Sequence, residues 1–374
     1  MPFKKAVLII SSEFPPGPGG IGHHCFSLAS ALHRQGIPVF VLTQGDYAQP
    51  SEIDRFDARV PFQVKRYPRL GWFWTYINRF WVSLRIIGKN RYDRVILTGK
   101  FSLWQGWLIK MVFPGVRTLA ILHGSEVRLS NNVLRAITRL AIWKSDVLVP
   151  VSAFTRSLLP EWIQSHHKKI QIIPNGIEPW EADEGNIKEG VRLCGTPILL
   201  TVGHVSPRKG QHRVIRALPR LLESFPDIHY HIAGLPLQRA ELEHLAAEIN
   251  VLQHITFHGR IPEHKDLQGY YRQADALLLL SENQSSGDVE GFGIVALEAN
   301  YFGIPVIGAK YCGIEDAVLQ GKSGYLVDGN RPEEILEALQ QCLHNKEALK
   351  LSCREWALSH SWGNLVKAYI ALLK

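Results

Sequence analysis

Two doubly wound α/β domains, each a Rossmann-like parallel sheet with helices on both faces, are what this sequence predicts. Three observations point there. The chain has 374 residues, more than one ordinary core accommodates and enough for two domains with sizeable interiors. Short apolar runs alternate with segments of helical periodicity along the whole length, the pattern of parallel strands joined by crossover helices. A polar, aperiodic stretch at 179–196, containing Glu181-Ala182-Asp183-Glu184-Gly185, separates the two halves and reads as a linker.

The elements follow in order. In the first half, residues 6–10, 39–43, 94–98, 118–123 and 147–151 read as buried strands. Between the first two, Ile21, Cys25, Leu28, Ala29 and Leu32 fall at helical spacing, so an amphipathic helix is expected over 21–35. In the second half the expected strands are 197–203, 229–234, 254–259, 276–280 and 305–307. Val214, Ile215, Leu218, Leu221 and Leu222 mark one helix between them, and Leu242, Leu245, Ala246 and Ile249 another. The domains expected from this are 1–180, 181–355 and a C-terminal segment, 356–374, that packs back towards the first domain.

Composition excludes several classes. Hydrophobic residues at 46% and charged residues at 20% describe a folded chain, not a disordered one. After Lys4 and Lys5 the run Ala6-Val7-Leu8-Ile9-Ile10 is too short for the apolar core of a signal peptide, so no leader is expected. No stretch approaches the roughly 20 apolar residues of a membrane-spanning helix. The five cysteines, at 25, 194, 312, 342 and 353, are odd in number and never form Cys-x-x-Cys. A reducing cytoplasm and no cysteine-based metal site are therefore expected. Charge is uneven. Residues 1–180 hold 23 Lys and Arg against 10 Asp and Glu, a net of +13, whereas 181–374 hold 19 against 24, a net of −5. The basic half suits an anionic partner: a membrane surface, a phospholipid or nucleic acid.

Doubly wound sheets bind ligands at the carboxyl ends of their strands, so the loops after strands hold the candidate chemistry. After the first strand comes Glu13-Phe14-Pro15-Pro16-Gly17-Pro18-Gly19-Gly20-Ile21-Gly22, then a helix. It is either an ordinary strand–helix turn or a place where backbone N–H groups and the helix dipole meet phosphate. It does not continue as G-x-G-x-x-G, and no P-loop is present. After the first strand of the second half comes Gly203-His204-Val205-Ser206-Pro207-Arg208-Lys209-Gly210. Two adjacent cations at the mouth of a sheet suit a diphosphate, although charged loops are commonly just solvated. The third stretch, Ser285 to Ala299, runs Asp288-Val289-Glu290-Gly291-Phe292-Gly293-Ile294-Val295-Ala296-Leu297-Glu298. Gly291 and Gly293 mark a loop entering a helix, with Glu290 in the loop and Glu298 about one turn inside. One acid placed there could bind ribose hydroxyls and the other sugar hydroxyls; taken singly, each also fits a helix-capping or surface glutamate.

Together these stretches resemble glycosyltransferase family 4, retaining enzymes of the GT-B fold, in which two Rossmann-like doubly wound domains face a central cleft. The resemblance runs over nearly the whole chain. It rests on Gly19-Gly20-Ile21, His123-Gly124-Ser125-Glu126, Val151-Ser152-Ala153-Phe154-Thr155, Pro174-Asn175-Gly176-Ile177-Glu178, Pro207-Arg208-Lys209-Gly210 and the pair Glu290 and Glu298, in that order. The stretch from Asp288 to Ala299 is especially similar to bacterial mannosyltransferases acting on phosphatidylinositol mannosides.

The resemblance implies a nucleotide-sugar donor and assigns roles. Lys209 binds the donor pyrophosphate, Glu298 the ribose, and Glu290 the transferred sugar. Backbone groups of Gly291, Phe292, Gly293 and Ile294 lie against sugar and phosphate, with Gly19 and Gly20 closing on them. His123 stands near the reacting sugar; a histidine at that strand end could otherwise be a core residue. The family often has Gly-Arg where this chain has Gly203-His204. Arg208 replacing that cation is the reading preferred here, with a charged His204 or weaker phosphate binding as the alternatives. The implied chemistry is same-face transfer in which the leaving phosphate helps deprotonate the acceptor. No Asp-x-Asp occurs, so no metal or other cofactor is expected.

Residues 65–94 carry Lys65, Arg66, Arg69, Arg79, Arg85, Lys89, Arg91 and Arg94 among Trp72, Phe73, Trp74, Tyr76, Phe80 and Trp81. Arg79, Trp81 and Arg85 could sit on an anionic bilayer at the inner face of the cytoplasmic membrane, or the helix could face the core with its arginines solvated. No nucleic-acid-binding module accompanies the charge. The acceptor expected is a glycan or lipid-linked sugar in envelope polysaccharide or glycolipid synthesis. A small soluble acceptor, or binding of sugar nucleotides without transfer, are the competing readings.

Overall fold

The computed structural model describes residues 6–17, 19–45, 48–67, 72–167, 169–180, 192–261 and 266–374, with side chains from Trp74 onwards in the helix Trp72–Asn90. The chain divides into two compact units. One comprises residues 1–176 and 362–374, the other 177–361.

The first unit holds six parallel strands: β1 (Val7–Ser11), β2 (Val39–Gln44), β3 (Gln63–Tyr67), β4 (Arg94–Thr98), β5 (Arg117–Leu122) and β6 (Val147–Pro150). They lie in the order β3-β2-β1-β4-β5-β6. The chain starts at the centre and reverses direction of growth after β3, which places a topological switch between β1 and β4. Central strands such as VLIIS are buried along their whole length, as expected when helices cover both faces. Leu8, Ile10, Leu42, Val95, Leu97 and Leu122 meet Leu103, Ile109 and Ile142 from the helices in one core.

The second unit repeats the plan with β7 (Ile198–Val202), β8 (His229–Ala233), β9 (Ile255–Gly259), β10 (Ala276–Leu279), β11 (Val306–Ala309) and β12 (Gly324–Val327). The order is β12-β11-β10-β7-β8-β9, so β7 and β10 are neighbours although far apart in sequence. The helix Gln211–Leu222 follows β7. It buries Val214, Ile215, Leu218 and Leu221 against the sheet, the positions whose spacing predicted it.

All ten expected strands occur, with ends displaced by a residue or two. Two further strands are legible only from the sheet. The sequence of β3 is QVKRY, an edge strand exposed at alternate residues. That of β12, GYLV, is short and lies at the opposite kind of edge in its own sheet. Of the expected linker, 181–191 lies outside the described residues. Its flanks are packed: the Trp180 ring stands 5.3 Å from Phe302, and the Leu193 N–H donates to Gln273 at 3.0 Å.

The chain passes between units a second time at Ser361–Trp362. Trp356, where the sequence reading begins its C-terminal segment, still belongs to the second unit and donates its indole N–H to the Ala317 carbonyl at 2.8 Å. The helix Trp362–Leu373 belongs to the first. It buries Trp362, Tyr369 and Leu372 against the helix Gly20–Arg34, with His24 5.0 Å from the Trp362 ring. Trp362→Ala should therefore destabilise the first unit by about 3–5 kcal/mol, the usual cost of truncating a buried aromatic. Denaturant unfolding followed by circular dichroism measures it, and a change below about 1 kcal/mol would mean that this helix does not support the unit.

Candidate active site

The second unit gathers most of the candidate residues at the carboxyl ends of β7 and β10. After β7 the chain turns through Gly203 and His204 into a single 3₁₀ turn, Pro207–Lys209, and then into the helix Gln211–Leu222. Gly210 joins them at φ +72°. A β-carbon there would stand 1.9 Å from the Leu280 carbonyl oxygen, so only glycine lets the loop lie this close to the end of β10. Two hydrogen bonds fix its shape. Gln211 donates to the His204 carbonyl at 2.9 Å, and Glu282 N–H to the Arg208 carbonyl at 2.9 Å.

These constraints aim both cations at the loop before the helix Ile294–Tyr301. Lys209 Nζ is 2.7 Å from Glu290 Oε2, and the Arg208 guanidinium donates to the same oxygen. Arg208 Nε also meets Asp288 at 3.1 Å. Glu290 is buried. Burial alone would raise its pKa, but the two cations outweigh it and hold the carboxyl below its ordinary value. Arg208 is likewise desolvated, yet Glu290 and Asp288 keep its pKa raised. The half-buried His204 is pushed down by desolvation and then by Lys209 and Arg208. It is therefore a neutral imidazole at pH 7, and the positive charge at this mouth comes from Arg208 and Lys209.

Gly291, Phe292 and Gly293 are buried and lead into the helix, with Ile294 its first residue. A partner that sequence reasoning missed lies behind them. Gly313 N–H donates to the Glu290 carbonyl at 2.9 Å, and a β-carbon on Gly313 would fall 2.2 Å from the Gly291 carbonyl. Glu298 lies in the helix and accepts from the Tyr271 hydroxyl at 2.8 Å. Burial, followed by Glu298 itself, drives the Tyr271 pKa far up, so this phenol stays a donor. Tyr271 stacks on Phe302 at 5.5 Å. Nothing local in the sequence marks it as the residue that orients Glu298.

The first unit holds a separate constellation at the ends of β1, β4 and β5. Gly19 caps the helix that begins at Gly20, and the Glu13 carboxylate lies over Gly19. His123 follows β5. Its Nε2 is 2.8 Å from the Thr98 hydroxyl, and its ring meets His24 edge-on at 5.0 Å. Burial lowers its pKa to about 4, so at pH 7 it offers one N–H and one lone pair. Glu126, in the same motif but given no role by it, accepts from the His123 backbone N–H. Burial raises its pKa to about 7 despite that bond, and Glu13 adds to the rise.

Residues 72–90 form one helix, but Arg79 is not on a membrane-facing surface. It is 6% exposed and its guanidinium lies 5.2 Å from the Phe101 ring and 5.7 Å from Tyr67. Aromatic faces attract the cation there. Trp81, at 70% exposed, and Arg85 do face outward, with Trp74 on the same helical stripe. Among the described residues no helix is long and apolar enough to cross a membrane.

These two constellations on two Rossmann-like sheets define a sugar-transferring enzyme, and comparison with known proteins agrees. The family model described as Glycosyltransferase Family 4 matches residues 18–181, and that described as Glycosyl transferases group 1 matches 184–356. The chain belongs to glycosyltransferase family 4, a retaining family of GT-B fold that uses nucleotide sugars. Among its relatives is the GDP-mannose-dependent alpha-(1-6)-phosphatidylinositol monomannoside mannosyltransferase of Mycolicibacterium smegmatis, 28% identical over 95% of this chain and 94% of that protein. The D-inositol 3-phosphate glycosyltransferase of Corynebacterium urealyticum is 31% identical over 62% of this chain and 57% of its own length. In fold the chain is similar to sucrose-phosphate synthase of Thermosynechococcus elongatus, with TM-score 0.77, 21% identity and 99% and 98% of the two chains covered. It is also similar to Anabaena HepE in complex with UDP, with TM-score 0.75, 16% identity and coverage of 98% and 99%.

The buried Glu126 gives a pH test. Its pKa is higher in the folded than in the unfolded chain, so the native state binds the extra proton between about pH 4.5 and 7. Stability from this group therefore falls as pH rises through that window, by about 2–3 kcal/mol in all. Glu126→Gln should remove the slope and be the more stable protein at pH 8. Parallel slopes for the two proteins in denaturant unfolding at pH 5, 6, 7 and 8 would contradict this.

Proposed function

We propose that this enzyme transfers mannose, with retention of configuration, from GDP-mannose to a lipid-linked acceptor. The observation that carries the donor reading is Glu290 buried between Lys209 and Arg208 at the mouth of the second sheet. A bound donor brings its diphosphate to these cations, and the released Glu290 carboxylate accepts hydroxyls of the sugar. Glu298, held by Tyr271, takes the ribose hydroxyls. Gly203, His204 and the backbone of Gly291 to Ile294 complete the donor side.

The protein's work in this scheme is positioning and electrostatics. As the glycosidic C–O bond to the diphosphate breaks, negative charge grows on the leaving oxygen, and Lys209 and Arg208 oppose it. The acceptor hydroxyl attacks the same face and passes its proton to that phosphate. His123, neutral near pH 7, donates or accepts a hydrogen bond at a sugar hydroxyl rather than carrying charge. Mannose and the lipid acceptor are supported by the Mycolicibacterium relative, which spans nearly this whole chain. The inositol phosphate transferase supports the second reading, a small soluble acceptor.

Calorimetric titration with GDP-mannose, UDP-glucose and UDP-N-acetylglucosamine tests the donor, with GDP-mannose expected to bind tightest. Failure of all three would remove the reading. With the donor that binds, Lys209→Ala should lower kcat about 10²–10³-fold, as loss of one leaving-group contact does elsewhere. Arg208→Ala should lower it too, with His204→Arg restoring part of the loss. An Arg208→Ala enzyme of full activity would show that His204 needs no compensation.

The lipid acceptor predicts membrane docking through the outward stripe of Trp74, Trp81 and Arg85, the composition of an interfacial helix. The protein should float with vesicles rich in anionic lipid, less at high salt, and Trp81→Ala with Arg85→Glu should abolish flotation. Failure to float with either anionic or neutral vesicles would favour the soluble acceptor.

A further inference from the structure

The second unit carries a histidine cluster that the donor chemistry does not use. His229 and His231 lie two apart on β8 and so point to one face of the sheet. His258 stands beside them on β9, and Cys194 comes just before β7. Ligand-capable atoms of Cys194, His229 and His231 lie within 4.8 Å of one another, the one such group among the described residues. His258 extends the row, with its Nε2 3.0 Å from His231 Nδ1. None of these residues belongs to the Lys209–Glu290 cluster.

The hydrogen bonds decide which nitrogens are available. His231 Nε2 is 2.9 Å from the Cys194 backbone carbonyl. A carbonyl only accepts, so Nε2 carries the hydrogen and Nδ1 the lone pair. An imidazole whose remote N–H is held by a backbone carbonyl is how metal-binding histidines are usually oriented. The His229 ring is held in place by its Nε2, 2.8 Å from the Thr256 hydroxyl.

The spacing fits a first-row ion. Two nitrogens bound at about 2.0–2.1 Å in tetrahedral geometry stand about 3.4 Å apart, so the His231–His258 pair, 3.0 Å apart, would open by a few tenths of an ångström while the rings turn to aim both lone pairs at the ion. Entry shifts the His258 hydrogen from Nε2 to Nδ1. Cys194 is exposed, so packing does not hold its side chain back from the imidazoles.

We propose that Cys194, His229, His231 and His258 form a binding site for a divalent transition ion of the zinc class. The thiol gives up its proton to solvent on binding and ligates as thiolate. Such an ion would tie residues 192–194, just before β7, to the strands β8 and β9. The spacing of Cys194 from the histidines matches no linear motif, which is why the sequence led to the opposite expectation.

The experiment uses the full chain, stripped with a chelator and titrated with Co²⁺, then Zn²⁺. One equivalent of Co²⁺ should give intense visible bands of a tetrahedral site and a thiolate charge-transfer band, and Zn²⁺ should displace both. The other four cysteines are buried and cannot supply that band in the folded protein. Cys194→Ser, a change at an exposed position, should remove the charge-transfer band, and His231→Gln should weaken Zn²⁺ binding at least tenfold. Weak octahedral bands only, a site with no thiolate band, or spectra unchanged by Cys194→Ser would each overturn the proposal.

Discussion

One buried carboxylate organises the loops at the carboxyl edge of the second sheet. Glu290 accepts from Lys209 and Arg208 together, and through them it joins the loop after β7 to the loop after β10. A buried acid without partners would lose its proton-free form, and two adjacent cations without an acid would repel. The trio is stable only as a trio, so each loop is held where the other needs it. The resulting arrangement holds the two cations against Glu290 and Asp288.

That pairing depends on backbone that allows two loops to touch. Gly210 lets the first loop pass against the end of β10, and Gly313 lets a third segment support Glu290 and Gly291 from behind. Sheet order makes these approaches possible. Because β10 lies beside β7, loops separated by about eighty residues share one edge, as the crossover topology of a doubly wound sheet requires. Glu298 is fixed by a different route, through a phenol that stacks on Phe302 from the neighbouring helix end.

The first unit uses neutral groups where the second uses ions. His123, His24 and Glu126 are all desolvated, and burial moves each towards its uncharged form. The same contrast appears on the helix Trp72–Asn90. Arg79 is drawn into an aromatic box, whereas Arg85, two turns further along, remains in solvent.

Much of this was legible in the sequence. Apolar runs and helical spacing gave ten of the twelve strands, because a strand buried on both faces must be apolar throughout. The order of short motifs from Gly19 to Glu298 identified the family, and Lys209 and Glu290 were singled out by their loops. What remained hidden has a common cause. The edge strand β3 exposes alternate residues, and β12 at four residues is too short to stand out from a loop. The sharing of Glu290 by both cations, the Tyr271 bond to Glu298, the burial of Arg79 and the row of histidines beside Cys194 are all contacts between distant segments. Local periodicity fixes which elements form. Which side chains then meet is decided by the order in which parallel strands line up, and that order is a property of the folded sheet.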